Sequence, residues 1–567
     1  MSTAKVFRAA CLALGFALLG ASCTGPQQDA NTDGVRGGTL RVLSADDING
    51  LDTAVNYTPN GATIARAYAR TLYSYNLAGP PDQDTVPVPD IASGPPQRSA
   101  DQRTYTFRLR AGVRYAPPVN REVTATDFIT AIERLYDKTT PSPGQQYADL
   151  IAGARRVGAG KASHISGLTA LDARTLTITL DRPAYDLLAI LTLPFFAPVP
   201  AEYAAEYAVG APYDGNVVGS GPYTPDTYIP GDTVVLARNP NWDPATDPLR
   251  RAWVDRIHIK LDVKIASIQR AIDREEADLS LDSHVPQTQI AALRADPEQS
   301  GRLSVNNPTG NLLYLALGTH QAAGAIADVR VRQAINYAID KVAYRDAIAG
   351  SFAPAGELAS TILAPGSLGY RHYDLYPTPG GRGDPAKAKA LLAQAGYPNG
   401  LTLRFVTFGS GPYAATRKPI QESLKRAGID LKVQTYKGAA LWEKSLNVPS
   451  KRLEHQLGQT VWNPDYLGDN ARQTIVPLVD GRDRNISEYN NPDVNRLIDR
   501  ALAEPDQTRR AALWGELDQR IMRDAPLVPL LRETFAFQWA SRVHGWVYDP
   551  WTVGPDLTAP WLDPQGP

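Results

Sequence analysis

Residues 401–436 read LTLRFVTFGSGPYAATRKPIQESLKRAGIDLKVQTY. Residues 401–408 have strand composition, 420–427 form a helical segment stopped by Gly428, and 430–436 return to strand composition. Just upstream, Asp384-Pro385 opens another helix, which runs to Ala395 and is ended by Gly396. Helix, strand, helix, strand within about 50 residues is the signature of an α/β layer with crossover connections.

On either side the same logic places more elements. Val331, Ile335, Ala338 and Val342 recur at helical spacing, with Asp328 as N-cap and Gly350 as stop. Asn491-Pro492 caps a helix through Ala503, and Asp506 starts another that carries Leu513, Leu517 and Ile521. Toward the N-terminus, 39–43 reads as a strand after a Gly pair, 62–73 as a helix, and 104–110 as a half-buried strand of alternating pattern. Thr124 or Thr126 caps a helix whose Phe128, Ile129, Ile132, Leu135 and Tyr136 form one apolar stripe. Residues 175–180 and 233–238 are further strands, and the chain ends in Pro- and Trp-rich irregular structure from Trp546.

A chain of 567 residues is too long for one hydrophobic core, so two or three domains are expected. Its 58 basic and 59 acidic side chains balance, which argues against a nucleic-acid binder, whose basic face meets the phosphates. The seven histidines show no metal-ligand spacing, and no Gly-x-Ser-x-Gly nucleophile motif is present, so neither a zinc enzyme nor a serine hydrolase is indicated. No cofactor is implied.

Both cysteines fall in the first 23 residues. Lys5 and Arg8 precede an apolar run, 9–21, in the layout of a secretory signal. Cys23 follows Leu19-Gly20-Ala21-Ser22, an arrangement similar to a bacterial lipobox, with Gly20 where a branched residue is usual. Lipidation at Cys23 would leave a polar tether, 23–37, between membrane and folded body; an ordinary signal peptide would leave Cys23 a free thiol. No later segment has the roughly 20 apolar residues of a membrane span. The body is expected outside the cytoplasmic membrane, anchored at its outer face.

One short segment stands out for chemistry: Trp462-Asn463-Pro464-Asp465-Tyr466 sets a carboxylate between aromatic residues where Pro464 bars a helix interior. On residue types alone it is also an ordinary surface turn.

The segments Thr39 to Val42, TYTFRLRAGV at 104–113, Gly219-Ser220-Gly221-Pro222-Tyr223, Arg238-Asn239-Pro240-Asn241-Trp242, DVRVRQAINYAID at 328–340, KAKALLAQAGY at 387–397 and Trp462 to Tyr466 occur in an order that resembles one family. The family is the extracellular solute-binding proteins of peptide-type ABC importers, family 5; the lipobox agrees with it, and the style of the sequence resembles an actinobacterial lipoprotein. The resemblance implies a periplasmic-binding-protein-like type II fold of α/β class, with two lobes about a hinge and an extra N-terminal subdomain. It places the N-terminal lobe at 38–78, 216–305 and 531–567, the extra subdomain at 79–215, and the C-terminal lobe at 306–530.

It further implies a non-enzymatic protein that captures oligopeptides between the lobes and delivers them to membrane permease subunits. Asp465 would hold the ligand's ammonium, because a buried ammonium needs a paired, hydrogen-bonded anion. Trp462, Asn463 and Tyr466 would wall the cleft, and the loop carrying Leu51 and Thr53 would pair with the peptide backbone as an added strand does. A monomer is expected. Oligosaccharide or metal-chelate ligands, and a lipoprotein that senses peptides without transporting them, stay open; a secreted hydrolase is the remaining alternative.

Overall fold

Leu401–Phe408 and Ile429–Tyr436 pair in parallel without a register shift, and the helix Arg417–Arg426 makes the crossover between them. The helix starts three residues before the expected 420, at Arg417, directly after a one-turn 3-10 segment Pro412–Thr416. This βαβ unit is one edge of a six-stranded sheet in the computed structural model, which describes residues 34–564 apart from 80–83, 141, 307–309, 350–355, 439, 470 and 482–484. The signal segment 1–22, Cys23, most of the 23–37 tether and the expected helix stop Gly350 lie outside the described residues.

Across the six-stranded sheet the order is Glu357–Leu358, Leu527–Arg532, Leu312–Leu317, Leu457–Trp462, Leu401–Phe408, Ile429–Tyr436. Leu312–Leu317 runs antiparallel to both neighbours and is buried at every position, as a central strand covered on two faces must be. The helices Val329–Ala338, Pro385–Gln394, Pro492–Ala503 and Gln507–Asp524 pack their apolar residues into the core of this sheet. Asp384, Asn491 and Asp506 each accept a backbone N–H in the first turn of their helix, a contribution of about 1 kcal/mol per cap.

Two expected helices are corrected. The periodic run 328–350 is two helices, Val329–Ala338 and Lys341–Ala349, because Ile339 is extended and Asp340 accepts the Ala343 N–H at 2.8 Å, starting a new helix. The helix expected at 62–73 is Pro59–Tyr68: Thr58 caps it, Pro59 occupies its first position, and Tyr73 already belongs to a strand, Tyr73–Tyr75. By contrast, Thr124, one of the two expected caps, caps Ala125–Arg134, and its N–H donates to Asp127 Oδ2 at 2.8 Å.

A second, five-stranded sheet has the order Leu279–Ser280, Thr39–Leu43, Arg256–Lys260, Thr233–Arg238, Tyr223–Ile229. It carries its own core, to which Trp539, Val543, Leu557 and Leu562 return from the end of the chain. A third core surrounds the antiparallel sheet Gln97–Arg98, Thr104–Arg108, Thr175–Thr179, Leu168–Asp172 and draws on residues from Ala54 to Val218. From far along the chain Tyr466 enters this third core and Trp551 packs against it. Among the described residues no helix is long and apolar enough to cross a membrane.

Candidate ligand-binding cleft

Leu457–Trp462 delivers its chain to the end of the six-stranded sheet where Leu401–Phe408, parallel to it, also ends. Ligands of α/β folds gather outside the carboxyl ends of such parallel strands. Pro464 then prevents further regular structure, and its ring lies so close to Gly310 that a Cβ there would come within 3.0 Å of Pro464 Cγ. The turn is thereby held against the neighbouring strand entrance, and Asp465 follows it.

Asp465 is half-buried and accepts three side-chain hydrogen bonds. Tyr57 Oη donates to Oδ1 at 2.9 Å, Gln473 Nε2 to Oδ2 at 2.7 Å, and the Tyr147 hydroxyl also to Oδ2. Gln473 further accepts the Asp465 N–H at 2.9 Å, and the Trp551 indole donates to the Asp465 carbonyl at 2.5 Å. All these partners are neutral. Burial pushes the Asp465 carboxyl above its ordinary range, and the hydrogen bonds from Tyr147, Tyr57 and Gln473 pull the other way. Among the described residues no Lys, Arg or His forms an ion pair with it.

The donors are set by aromatic packing. Tyr147 stacks on Phe195 with ring centroids 6.1 Å apart, Tyr57 tilts against the same Phe195 at 5.8 Å, and Tyr466 meets Tyr147 edge-on at 6.3 Å. Tyr57 is 43 % exposed, so it is the donor that still meets solvent.

The other residues singled out in the sequence have different fates. Trp462 is half-buried, and its indole N–H has no acceptor among the described residues. Asn463 is exposed beside it. Tyr466 is a correction to the expectation of a cleft wall: it is fully buried, its hydroxyl donates to Asp186 at 2.5 Å, and Arg472 Nε donates to the same carboxylate at 2.7 Å. A phenol this deep needs an acceptor, and Asp186 supplies it.

Leu51 and Thr53 are likewise buried, 0 % and 6 % exposed. The Leu51 and Asp52 N–H groups both donate to Asp214 at 2.7 Å, and the Leu51 carbonyl accepts from Tyr68, so this stretch of loop is spent inside the protein. It reaches Asp465 through Tyr57 instead. Tyr57, Tyr147 and Gln473 were not legible as site residues: the first two lie in ordinary Tyr-containing segments, and only Gln473, eight residues beyond Asp465, was near enough in sequence to suspect.

A family model described as bacterial extracellular solute-binding proteins, family 5 Middle, matches residues 86–475, well over half of the chain. The chain belongs to family 5 of the extracellular solute-binding proteins. This family 5 protein is 26% identical over 473 residues to heme-binding protein A of Haemophilus influenzae, covering 80% of each chain. It is 28% identical to di/tripeptide-binding protein 2 of Pseudomonas aeruginosa, over 90% of this chain and 93% of that one. Among solved structures, clavulanic acid biosynthesis oligopeptide binding protein 2 superposes with a TM-score of 0.85 at 30% identity, covering 93% of this chain and 96% of that one. The family 5 protein thus has the type II binding-protein fold of α/β class, and its role is to bind a solute.

Proposed function

We propose that this family 5 protein captures oligopeptides between two lobes and delivers them to the permease of an ABC importer, without catalysing a reaction. The observation that carries the reading is Asp465: a carboxyl drawn from water, hydrogen-bonded by three neutral donors, and lacking a cation of its own. A protein that only needed the turn would place no charge there, because burying an unpaired carboxylate costs several kcal/mol. A peptide's terminal ammonium supplies the missing charge. In this reading the Trp462 N–H, without an acceptor among the described residues, and the exposed Asn463 would meet the peptide's first amides. The relatives named for di/tripeptides and oligopeptides support the same ligand class.

In this reading the lobes are 38–78 with 216–305 and 531–567, and 306–530, with 79–215 as the extra subdomain. Hinge closure brings Tyr57 and Tyr147 onto Asp465 around the ligand. The protein works as a monomer outside the cytoplasmic membrane, held at its outer face by lipid on Cys23. Mass spectrometry of ligand released from the purified protein tests the reading. Peptides with free amino termini are the expected result, and an oligosaccharide, haem or metal chelate recovered at stoichiometric amount would overturn it.

A further inference from the structure

A second carboxyl stands at the same sheet end. Glu533 follows directly on the strand Leu527–Arg532, and Asn311 immediately precedes Leu312–Leu317, whose first residue pairs with Trp462. Asn311 Nδ2 donates to Glu533 Oε2 at 2.6 Å, and Asn311 Oδ1 accepts the Glu533 N–H at 2.9 Å. Tyr413 Oη lies 3.0 and 3.1 Å from the two carboxyl oxygens. The residue before Asn311 is Gly310, which abuts Pro464 one position from Asp465. The two carboxyls therefore sit on adjoining strand ends, linked through Asn311, Gly310 and Pro464.

Glu533 is 3 % exposed, and no described cation balances it. Its sequence neighbour Arg532 is committed elsewhere, donating to the carbonyls of Asn311, Thr361, Ile362 and Leu363 at 2.8 to 3.1 Å. The half-buried rings of Tyr413 and Trp442 both pack on the buried core residue Phe408, with centroids 5.1 and 5.3 Å from it, and their partly exposed faces are what a ligand could meet here. An acid with only neutral hydrogen-bond partners, beside a wall suited to an alkyl stem, has the chemistry of a socket for an amphipathic cation.

We propose that Glu533 is a specificity-determining residue: it takes the basic side chain of a peptide whose terminal ammonium is held at Asp465. The inference rests on the peptide reading above. Burial pushes the empty carboxyl up to about 7, so it is largely protonated in mild acid and ionises when a cation arrives. Binding of a basic peptide at pH 6 then releases a proton, which calorimetry detects as a heat that depends on the buffer's ionisation enthalpy.

The test is titration calorimetry at pH 6 and 7 with alanine tetrapeptides carrying one lysine or one norleucine at each position in turn. The probes are applied to the wild-type protein and to Glu533→Gln, which keeps shape and hydrogen bonding. At one position lysine is expected to bind at least ten-fold tighter than norleucine in the wild type, with proton release at pH 6. Glu533→Gln should abolish both the preference and the proton release while holding norleucine peptides within two-fold of wild type. Equal affinities at every position, or a Glu533→Gln loss shared by both series, would overturn the assignment and leave the peptide reading standing. Lysine amide, which carries two ammonium groups without a peptide chain, separates the remaining case. If no tetrapeptide binds but lysine amide binds in a Glu533-dependent way, the peptide reading falls and the cation socket stands. If neither binds, both fall.

Discussion

Tyr57 donates its hydroxyl to Oδ1 of Asp465 at 2.9 Å, across 408 residues of sequence. Tyr57 lies on the loop between the first strand of the five-stranded sheet and the helix Pro59–Tyr68, whereas Asp465 hangs from the six-stranded sheet. The carboxylate's donor set is therefore complete only when the two sheets face one another. A ligand held at Asp465, as proposed above, would thus meet groups carried by both sheets.

Removing the charge at Asp465 while keeping its shape is expected to abolish tight binding of free-amine peptides. For Asp465→Asn the loss should be about 2–5 kcal/mol, the usual range for truncating one partner of a buried charge pair. N-acetylated peptides, which lack the ammonium, should bind the wild type weakly and respond little to the substitution. Calorimetry with matched free and acetylated peptides checks this.

The affinity for such peptides should depend on pH with a definite sign. Binding needs the ionised carboxylate, and burial raises its pKa, so affinity is full at neutral pH and falls on acidification at a higher pH than for an exposed aspartate. Tyr147→Phe removes a hydrogen bond that favours the charged form. The variant should lose about 1 kcal/mol and show its acid fall at still higher pH. Peptide titrations between pH 4 and 8, followed by tryptophan fluorescence, measure both effects.

Asp186→Ala tests the contacts that join the third core to the six-stranded sheet. Asp186 accepts from Arg472 at 2.7 Å and from Tyr466 at 2.5 Å, and nearby Arg510 pairs with Asp469 at 2.7 Å while covering the Tyr185 ring at 4.4 Å. Its removal leaves the Arg472 guanidinium and the Tyr466 hydroxyl without their acceptor. The closed form should weaken by about 3 kcal/mol, toward the low end for broken buried pairs because Arg472 keeps some exposure. Faster peptide release in stopped-flow and a larger radius of gyration by X-ray scattering are expected.

A structural ion cluster gives a prediction in acid. Arg70 and Arg250 each lie 2.8 Å from Asp90, and Asp247 lies 3.3 Å from Arg250 and 3.5 Å from Arg70. Burial pushes the Asp247 carboxyl up, but the Arg250 and Arg70 guanidiniums outweigh it and bring it down to about 2. A lowered folded pKa contributes stability that is present above the unfolded value near 3.8 and is lost as pH falls through about 2. Asp247→Asn should lower the urea midpoint at pH 7, and the difference from wild type should shrink between pH 4 and 2.

Glu533 predicts the opposite slope. Its folded pKa is raised to about 7, so its stabilising protonated form is fully present below the unfolded value near 4.5 and is lost as pH rises through 7. Glu533→Gln is expected to match wild type near pH 4.5 and to exceed it at pH 8 by up to about 3 kcal/mol, since each pKa unit is worth about 1.4 kcal/mol. Urea unfolding at the two pH values decides it. A carboxyl that costs stability at neutral pH is the kind of feature retained for function.

The sequence by itself determined the local elements. Residues 385–436 were legible because helix caps, stop glycines and branched-residue strands act over a few residues, and Asp384, Gly396 and Gly428 stand where such rules require. The family was legible for the same reason, as short patterns in order. Where two local signals competed, the reading failed: Asp340 restarts a helix within an unbroken apolar period, and Thr58-Pro59 opens one before its apolar stripe begins.

Only the tertiary structure decided what surrounds Asp465. Tyr57 and Tyr147 reach it from 408 and 318 residues away, and Asn311 meets Glu533 across 222, distances over which no periodicity carries information. Tyr466 looked like a cleft wall in sequence, but a buried phenol follows its nearest acceptor, and Asp186 turned it into the third core. Hydrogen-bond satisfaction in a low-dielectric interior depends on which groups the fold brings together, and that is settled in three dimensions.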